Sequence, residues 1–220
     1  MNLPEGFHRE VIEARKNTVE DNNDIKSQVS TSPLSSGGAS FKTHVLIRES
    51  SSKLVYKPSI GVAIFCFIFL AVGLGVLFFN TIHLFKSNFD FEMVNWFLII
   101  FGLIFSSVGG FMFYSFYKPR VFDKQLGFYY KAYKPEIHNR KNNISKSHVL
   151  LKSIIAIQLI GEHIKSDKGS YKSFELNLVL DDASRKNVVD HGSLKSIIDD
   201  AQILSDFLYI PIWHAKSDED

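Results

Sequence analysis

The sequence predicts a membrane-spanning helical hairpin inserted into a small antiparallel β domain that ends in one amphipathic helix. Three observations carry this: two long uncharged runs rich in phenylalanine, short strand-like segments on both sides of them, and a 3.6-residue apolar period near the chain end. Among 220 residues there are 20 Phe but only two Trp, and many of the Phe fall in the two runs. Lys and Arg number 25 against 23 Asp and Glu, a net charge of +2 that is too near neutral for a dedicated nucleic-acid binder. The single cysteine, Cys66, excludes an internal disulfide and any cysteine-rich metal centre.

The first run, residues 60–79, has twenty residues without charge. At about 1.5 Å rise per residue it matches a hydrocarbon core of roughly 30 Å. The second, residues 93–117, has twenty-five, with Trp96 near one end and Tyr114 and Tyr117 near the other, where amphipathic rings prefer the headgroup region. The first run starts about sixty residues in and follows a polar segment, so no cleavable signal peptide is expected. Lys42, Arg48, Lys53 and Lys57 precede the hairpin and Lys118, Arg120 and Lys124 follow it, whereas the loop from Asn80 to Glu92 carries only Lys86. The positive-inside bias places both termini in the cytoplasm of a two-pass inner-membrane protein. Ala71 and Gly75 match Ser106 and Gly102 in depth, and Gly102, Ser106 and Gly110 repeat small residues at one-turn spacing. That ridge predicts close packing, either within the hairpin or between two copies. No charged residue interrupts either run, which argues against a transporter acting alone.

Residues 1–40 form a polar segment whose tract VSTSPLSSGGAS lacks aromatics and apolar period, so a flexible linker is expected. The β domain begins at residues 41–57, where THVLIRE and LVYK flank three serines as a hairpin. It resumes over 118–214 after the hairpin region 58–117, and an acidic tail, 215–220, follows. Arg120–Asp123 and Phe128–Tyr133 flank a turn in which Gly127 offers positive φ. Alternating strands follow over 155–161, 174–180 and 185–190, seven in all. Ser193 can cap a helix with apolar positions Leu194, Ile197, Ile198, Ala201, Leu204, Phe207 and Leu208, and Pro211 prevents its continuation.

Seven antiparallel strands and a C-terminal helix are the element count of a pleckstrin-homology-like (PH-like) barrel. Over residues 41–214 the chain resembles bacterial two-helix membrane proteins with a cytoplasmic PH-like domain, similar in layout to the photosystem I assembly factor family of chloroplasts and cyanobacteria. The segments carrying the resemblance are FKTH at Phe41, KPRVFDKQLGFYYK at Lys118, AIQLI at Ala156, FELNLVL at Phe174, VVDHG at Val188 and IPIW at Ile210. The resemblance implies an inserted hairpin within one barrel, and it carries over no catalytic or ligand-binding residue.

Charge is segregated in the β domain. Residues 118–152 hold nine Lys or Arg against two acidic residues, and from Ser153 onward seven face twelve. Lys131, Lys134, Arg140, Lys141, Lys146 and Lys152 are therefore candidate contacts for anionic lipid, at about 1 kcal/mol per basic residue near the surface. A solvated positive-inside loop accounts for the same charges. Asp190, His191, Asp199 and Asp200 can be drawn as an acid–base group, although polar residues are routine at such a strand-to-helix turn. The eight His form no HxH, HxxxH or HExxH pattern, so neither metal nor cofactor is expected, and no nucleophile or phosphate-loop motif occurs. Trp213 either packs inward to hold the helix or stays exposed as a partner anchor. The expected function is a non-enzymatic scaffold or assembly factor that binds a partner protein or a second copy. An anionic-lipid or membrane-signal sensor is the alternative, and a subunit completing another protein's active site ranks third.

Overall fold

A computed structural model describes residues 24–34, 37–88, 90, 92, 94–134, 148–166 and 169–215. The chain divides into two compact units, one of residues 43–125 and 129–148, the other of residues 1–42, 126–128 and 149–220.

In the first unit β1 (His44–Ser50) and β2 (Lys53–Pro58) pair antiparallel across the serine turn. Helix α1 (Ile60–Lys86) follows β2, and α2 (Trp96–Tyr117) leads into β3 (Arg120–Asp123) and β4 (Phe128–Lys131). β2 and β3 are antiparallel neighbours, with Tyr56 opposite Arg120 and Leu54 opposite Phe122. Strands encoded on either side of the helical pair thus join in one sheet, ordered β1-β2-β3-β4-β5 with β5 (His148–Leu150) at its edge. Gly127 takes φ +75° in the β3–β4 turn, a conformation costly for residues with a Cβ.

Ser59 caps α1: its Oγ accepts from Val62 N at 3.3 Å, and its own N–H donates to Thr43 O at 2.9 Å. The helix continues past Phe79, where a loop was expected, because Asn80 Nδ2 and Thr81 Oγ1 donate to the Val76 and Leu77 carbonyls at 2.9 and 2.8 Å. Their polar groups are satisfied by the helix itself, and the connection starts only at Ser87. Asn95 Oδ1 accepts from Leu98 N at 3.2 Å and starts α2 at Trp96, three residues after the expected Met93. Both helices are long and apolar enough to cross a membrane.

The seam between α1 and α2 runs through Val62, Cys66 and Gly73 against Gly102 and Gly109. A Cβ on Gly73 would meet the backbone N of Ser106, and would lie 2.9 Å from Gly102 O; one on Gly109 would lie 2.6 Å from Leu70 N. Phe69 stacks on Phe105 with centroids 5.4 Å apart. Gly102 and Ser106 therefore lie in the seam at the depth of Gly73. Gly75 and Gly110 do not, since a Cβ on either meets nothing within 4 Å, and Ala71 is exposed. The physical reason is the period: the seam follows alternating four- and three-residue steps, Gly102 to Ser106 to Gly109, as in left-handed helix pairs, and so leaves a strict four-residue ridge at Gly110.

In the second unit β6 (Ile154–Ser166), β7 (Gly169–Leu180) and β8 (Arg185–His191) are antiparallel neighbours, and β9 (Ile212–Ala215) lies parallel to β6. The order is β8-β7-β6-β9, and α3 (Leu194–Leu208) crosses from one edge strand to the other. The described residues thus hold nine strands in two open sheets, where the sequence predicted seven in a single barrel. The two additional strands, β5 and β9, have only three and four residues, too few for a visible alternation.

Phe174 pairs with His191, so both lie on one face of the sheet, together with Leu176 and Leu178. His191 Nε2 is 3.3 Å from Asp200 Oδ2, which identifies this as the face α3 covers. Ile197, Ala201, Leu204 and Phe207 point inward. Each large side chain so buried contributes about 1.5–3 kcal/mol. Leu194 and Ile198, assigned to the same stripe from the sequence, are instead 50% and 43% exposed, and Asp200 takes an inner position. Ser193 Oγ accepts from Ser196 N at 3.3 Å at the helix start. The helix ends on Tyr209 at φ 60°, ψ 42°, a left-handed conformation that costs a non-glycine residue about 1–2 kcal/mol.

The opposite face of this sheet is covered by the N-terminal segment. Residues 24–28 form one helical turn, and the chain then runs on across the strands. Val29, 7% exposed, packs with Ala156, Val179 and Trp213, joined by Ile25, Ile155 and Ala183. The tract expected to be a flexible linker is thus, over residues 29–34 and 37–40, a strap on the sheet. Its apolar content is low, as the sequence indicates, but its main chain is held by side chains more than a hundred residues away.

Candidate functional site

The strapped face is built from the outward positions of three strands. Glu175 Oε2 accepts from Leu34 N at 2.9 Å, Gln158 Nε2 donates to Ser30 O at 3.0 Å, and Arg185 Nη1 donates to Ser32 O at 2.8 Å. Further along, Glu162 Oε2 accepts from Gly37 N at 3.3 Å and Tyr171 OH donates to Gly38 O at 3.1 Å. All five bonds go to the strap's main chain, so the face holds its backbone rather than particular polar side chains. Val29 supplies the apolar plug. Arg185 also donates to Gln158 Oε1 at 3.1 Å, and Asn187 Nδ2 donates to Glu175 Oε1 and Asp190 Oδ1, both at 2.9 Å, which orients the donors and acceptors before the strap is counted. Beside them Asn177 is fully buried, and neither side-chain amide atom has a hydrogen-bond partner among the described residues. Such an amide costs about 1–3 kcal/mol.

Trp213 is 8% exposed and lies in the cluster around Val29, with Lys26 Nζ 5.6 Å from its ring centroid. The residue considered from sequence as an anchor for a partner or for the helix therefore contacts the strap. Of the acid–base group only His191 and Asp200 come together, both buried on the helix face; Asp190 instead bonds Asn187 on the strapped face, and Asp199 is exposed.

Among the candidate lipid contacts, Lys131, Lys134 and Lys152 are exposed, and Arg140, Lys141 and Lys146 lie outside the described residues. A different basic group was missed in the sequence. In the first unit Glu49 Oε2 lies 3.2 Å from Lys53 Nζ and Oε1 lies 3.0 Å from Lys57 Nζ. The three form the rim of a cavity of about 480 Å³. The signal was the two-residue period of β2, which puts Lys53, Val55 and Lys57 on one face. Hydrogen bonds from Lys57 and then Lys53 hold the Glu49 carboxyl below its ordinary pKa, and the bond to Glu49 raises that of Lys53. The triad is thus intact near neutral pH and opens as acid protonates Glu49. At this exposure each pair contributes only about 0–1 kcal/mol. Nearby, Tyr133 OH donates to Tyr114 O at 2.9 Å and His44 Nε2 lies 3.3 Å from Phe116 O, so two carbonyls from the last turn of α2 are met, one by β1 and one by the segment after β4.

These features define a class: two helices long and apolar enough to cross a membrane, joined to antiparallel sheets and a C-terminal amphipathic helix. No protein-family model, curated protein or solved structure matches the chain.

Proposed function

We propose that the protein is a non-enzymatic, two-pass membrane protein with both termini in the cytoplasm, whose PH-like β domain binds an extended segment of a partner protein as a scaffold or assembly factor. The observation that carries the reading is the strap: five side chains of one sheet face hold its backbone, with an apolar plug beside Trp213. Side chains that bond one another before they bond the strap, with an apolar site for one residue, suit a peptide segment laid across the sheet face, a mode distinct from strand addition at a sheet edge. The membrane reading is supported by exposure, since only 17% and 11% of the most apolar windows of α1 and α2 are buried, far too little for core helices of a soluble domain. The PH-like reading is supported by antiparallel sheets followed by an amphipathic helix, and the cytoplasmic reading by the Lys and Arg flanking the hairpin.

The peptide reading has a direct test. Val29→Asp puts a carboxylate among Ala156, Val179 and Trp213 and should release the strap. A labelled synthetic peptide of residues 24–41 is then expected to bind the full-length V29D chain in detergent at least about tenfold more tightly than wild type, where the tethered segment competes. Equal, absent binding to both folded chains would count against peptide recognition.

Orientation is checked separately. A membrane-impermeant maleimide applied to intact cells should label Ser87→Cys, and should label Ser51→Cys only after permeabilisation. Labelling with the reverse preference would invert the topology.

A further inference from the structure

The cavity beside β2 combines an anion-binding rim with an apolar floor. Its floor is Val55, Val121 and Tyr130, each 3–4% exposed. At one end stand Pro58, Tyr117 and Pro119, the residues by which the chain enters α1 and leaves α2. At the rim the ammonium groups of Lys53 and Lys57 converge on Glu49 from two sides, each taking a different carboxylate oxygen. Asp123, opposite Lys53 on β3, adds a second carboxylate on the Lys53 side, so Lys57 is the cation that only Glu49 meets among these groups. The two lysine side chains are 35% and 50% exposed, and both ammonium groups are within reach of a ligand from outside.

A phosphate diester presents two non-bridging oxygens with the spread of a carboxylate's, so it can replace Glu49 between the same two ammonium groups. Tyr117 at the end of α2 suits the headgroup level, which lies at this depth when the helices cross a bilayer. We propose that Lys53 and Lys57 form a clamp for the phosphate of an anionic glycerophospholipid, which Glu49 occupies until lipid displaces it. The proposal rests on the reading of α1 and α2 as membrane-spanning, and it concerns residues separate from the basic loop after β4.

The test uses the full-length protein in detergent, with bound lipid counted by native mass spectrometry during titration with phosphatidylglycerol or phosphatidylcholine. Wild type should retain phosphatidylglycerol in preference to phosphatidylcholine. Lys53→Gln with Lys57→Gln should weaken phosphatidylglycerol retention about tenfold or more, whereas Glu49→Gln, which removes the competitor, should strengthen it severalfold. The opposite signs guard against a variant that merely misfolds, because Glu49 is exposed and its amide is isosteric. Equal retention by all three chains would overturn the clamp. Displacement of the lipid by an equal concentration of inorganic phosphate would overturn the assignment to lipid and leave a free-phosphate site. A chain that remains in the aqueous phase after cell breakage would overturn the membrane reading itself. Membrane fractionation with lipid retention indifferent to Glu49, Lys53 and Lys57 would sink the clamp alone.

Discussion

Replacing Gly73 by leucine is expected to destabilise the helical pair by about 3 kcal/mol, read as a fall in the thermal unfolding midpoint of the detergent-solubilised protein. The added Cβ would meet the backbone N of Ser106 and lie 2.9 Å from Gly102 O, and main-chain atoms cannot yield by changing rotamer. Relief requires the two helices to separate, which also unstacks Phe69 from Phe105. Gly75→Leu and Gly110→Leu are the controls: both positions are open, and the midpoint should stay near wild type. The two groups differ only in which side of the helices they occupy. If the controls lose stability and Gly73→Leu does not, the seam follows the four-residue ridge and the heptad-spaced packing is refuted.

Gly192→Ala is expected to lift the end of the strap from the end of β8, at about 2–3 kcal/mol. Its Cβ would meet the carbonyl carbon and oxygen of Ser40 and lie 2.6 Å from Phe41 N, all main-chain atoms again. The same two segments are joined by the Gly192 N–H donating to Phe41 O at 3.1 Å and by the bridge of Lys42 to His191. Amide hydrogen exchange should show lost protection at Gly192, and trypsin should cut at Lys42 sooner. Gly161→Ala is the matched control, because its Cβ reaches the Phe174 ring only at 3.5 Å, an ordinary contact. Unchanged exchange in Gly192→Ala would mean that residues 40–42 do not rest on β8.

Local chemistry made part of this architecture legible. Two uncharged runs, a serine-linked hairpin before them, a glycine turn after them and a 3.6-period stripe near the end each declare themselves within ten to twenty residues. The depth of Gly102 and Ser106 could be read as well, because depth depends only on distance along each helix. The face they share with Gly73 could not, since a three-and-four spacing and a strict four-residue spacing look alike over two turns. Leu194 and Ile198 show the same limit, because an apolar residue at helical spacing can sit at the border of the stripe and remain half exposed.

The candidate sites were less legible than the fold. The strap is held by Glu175, Gln158 and Arg185 across separations of 141, 128 and 153 residues, and its own composition is that of a linker. Nothing in VSTSPLSSGGAS signals those bonds, because they go to its backbone, which every sequence shares. The clamp was hidden for a related reason: Glu49, Lys53 and Lys57 are ordinary hairpin residues until pairing sets β1 beside β2 and brings three side chains to one point.

The sequence alone determined which segments are apolar, which alternate as strands and where α1 and α3 begin, because hydropathy period and capping are properties of neighbouring residues. Only the tertiary structure decided which faces meet, what covers the outer side of the β8-β7-β6-β9 sheet and where two lysines converge. Those depend on contacts between residues distant in the chain, whose geometry is set by packing and not by any local preference.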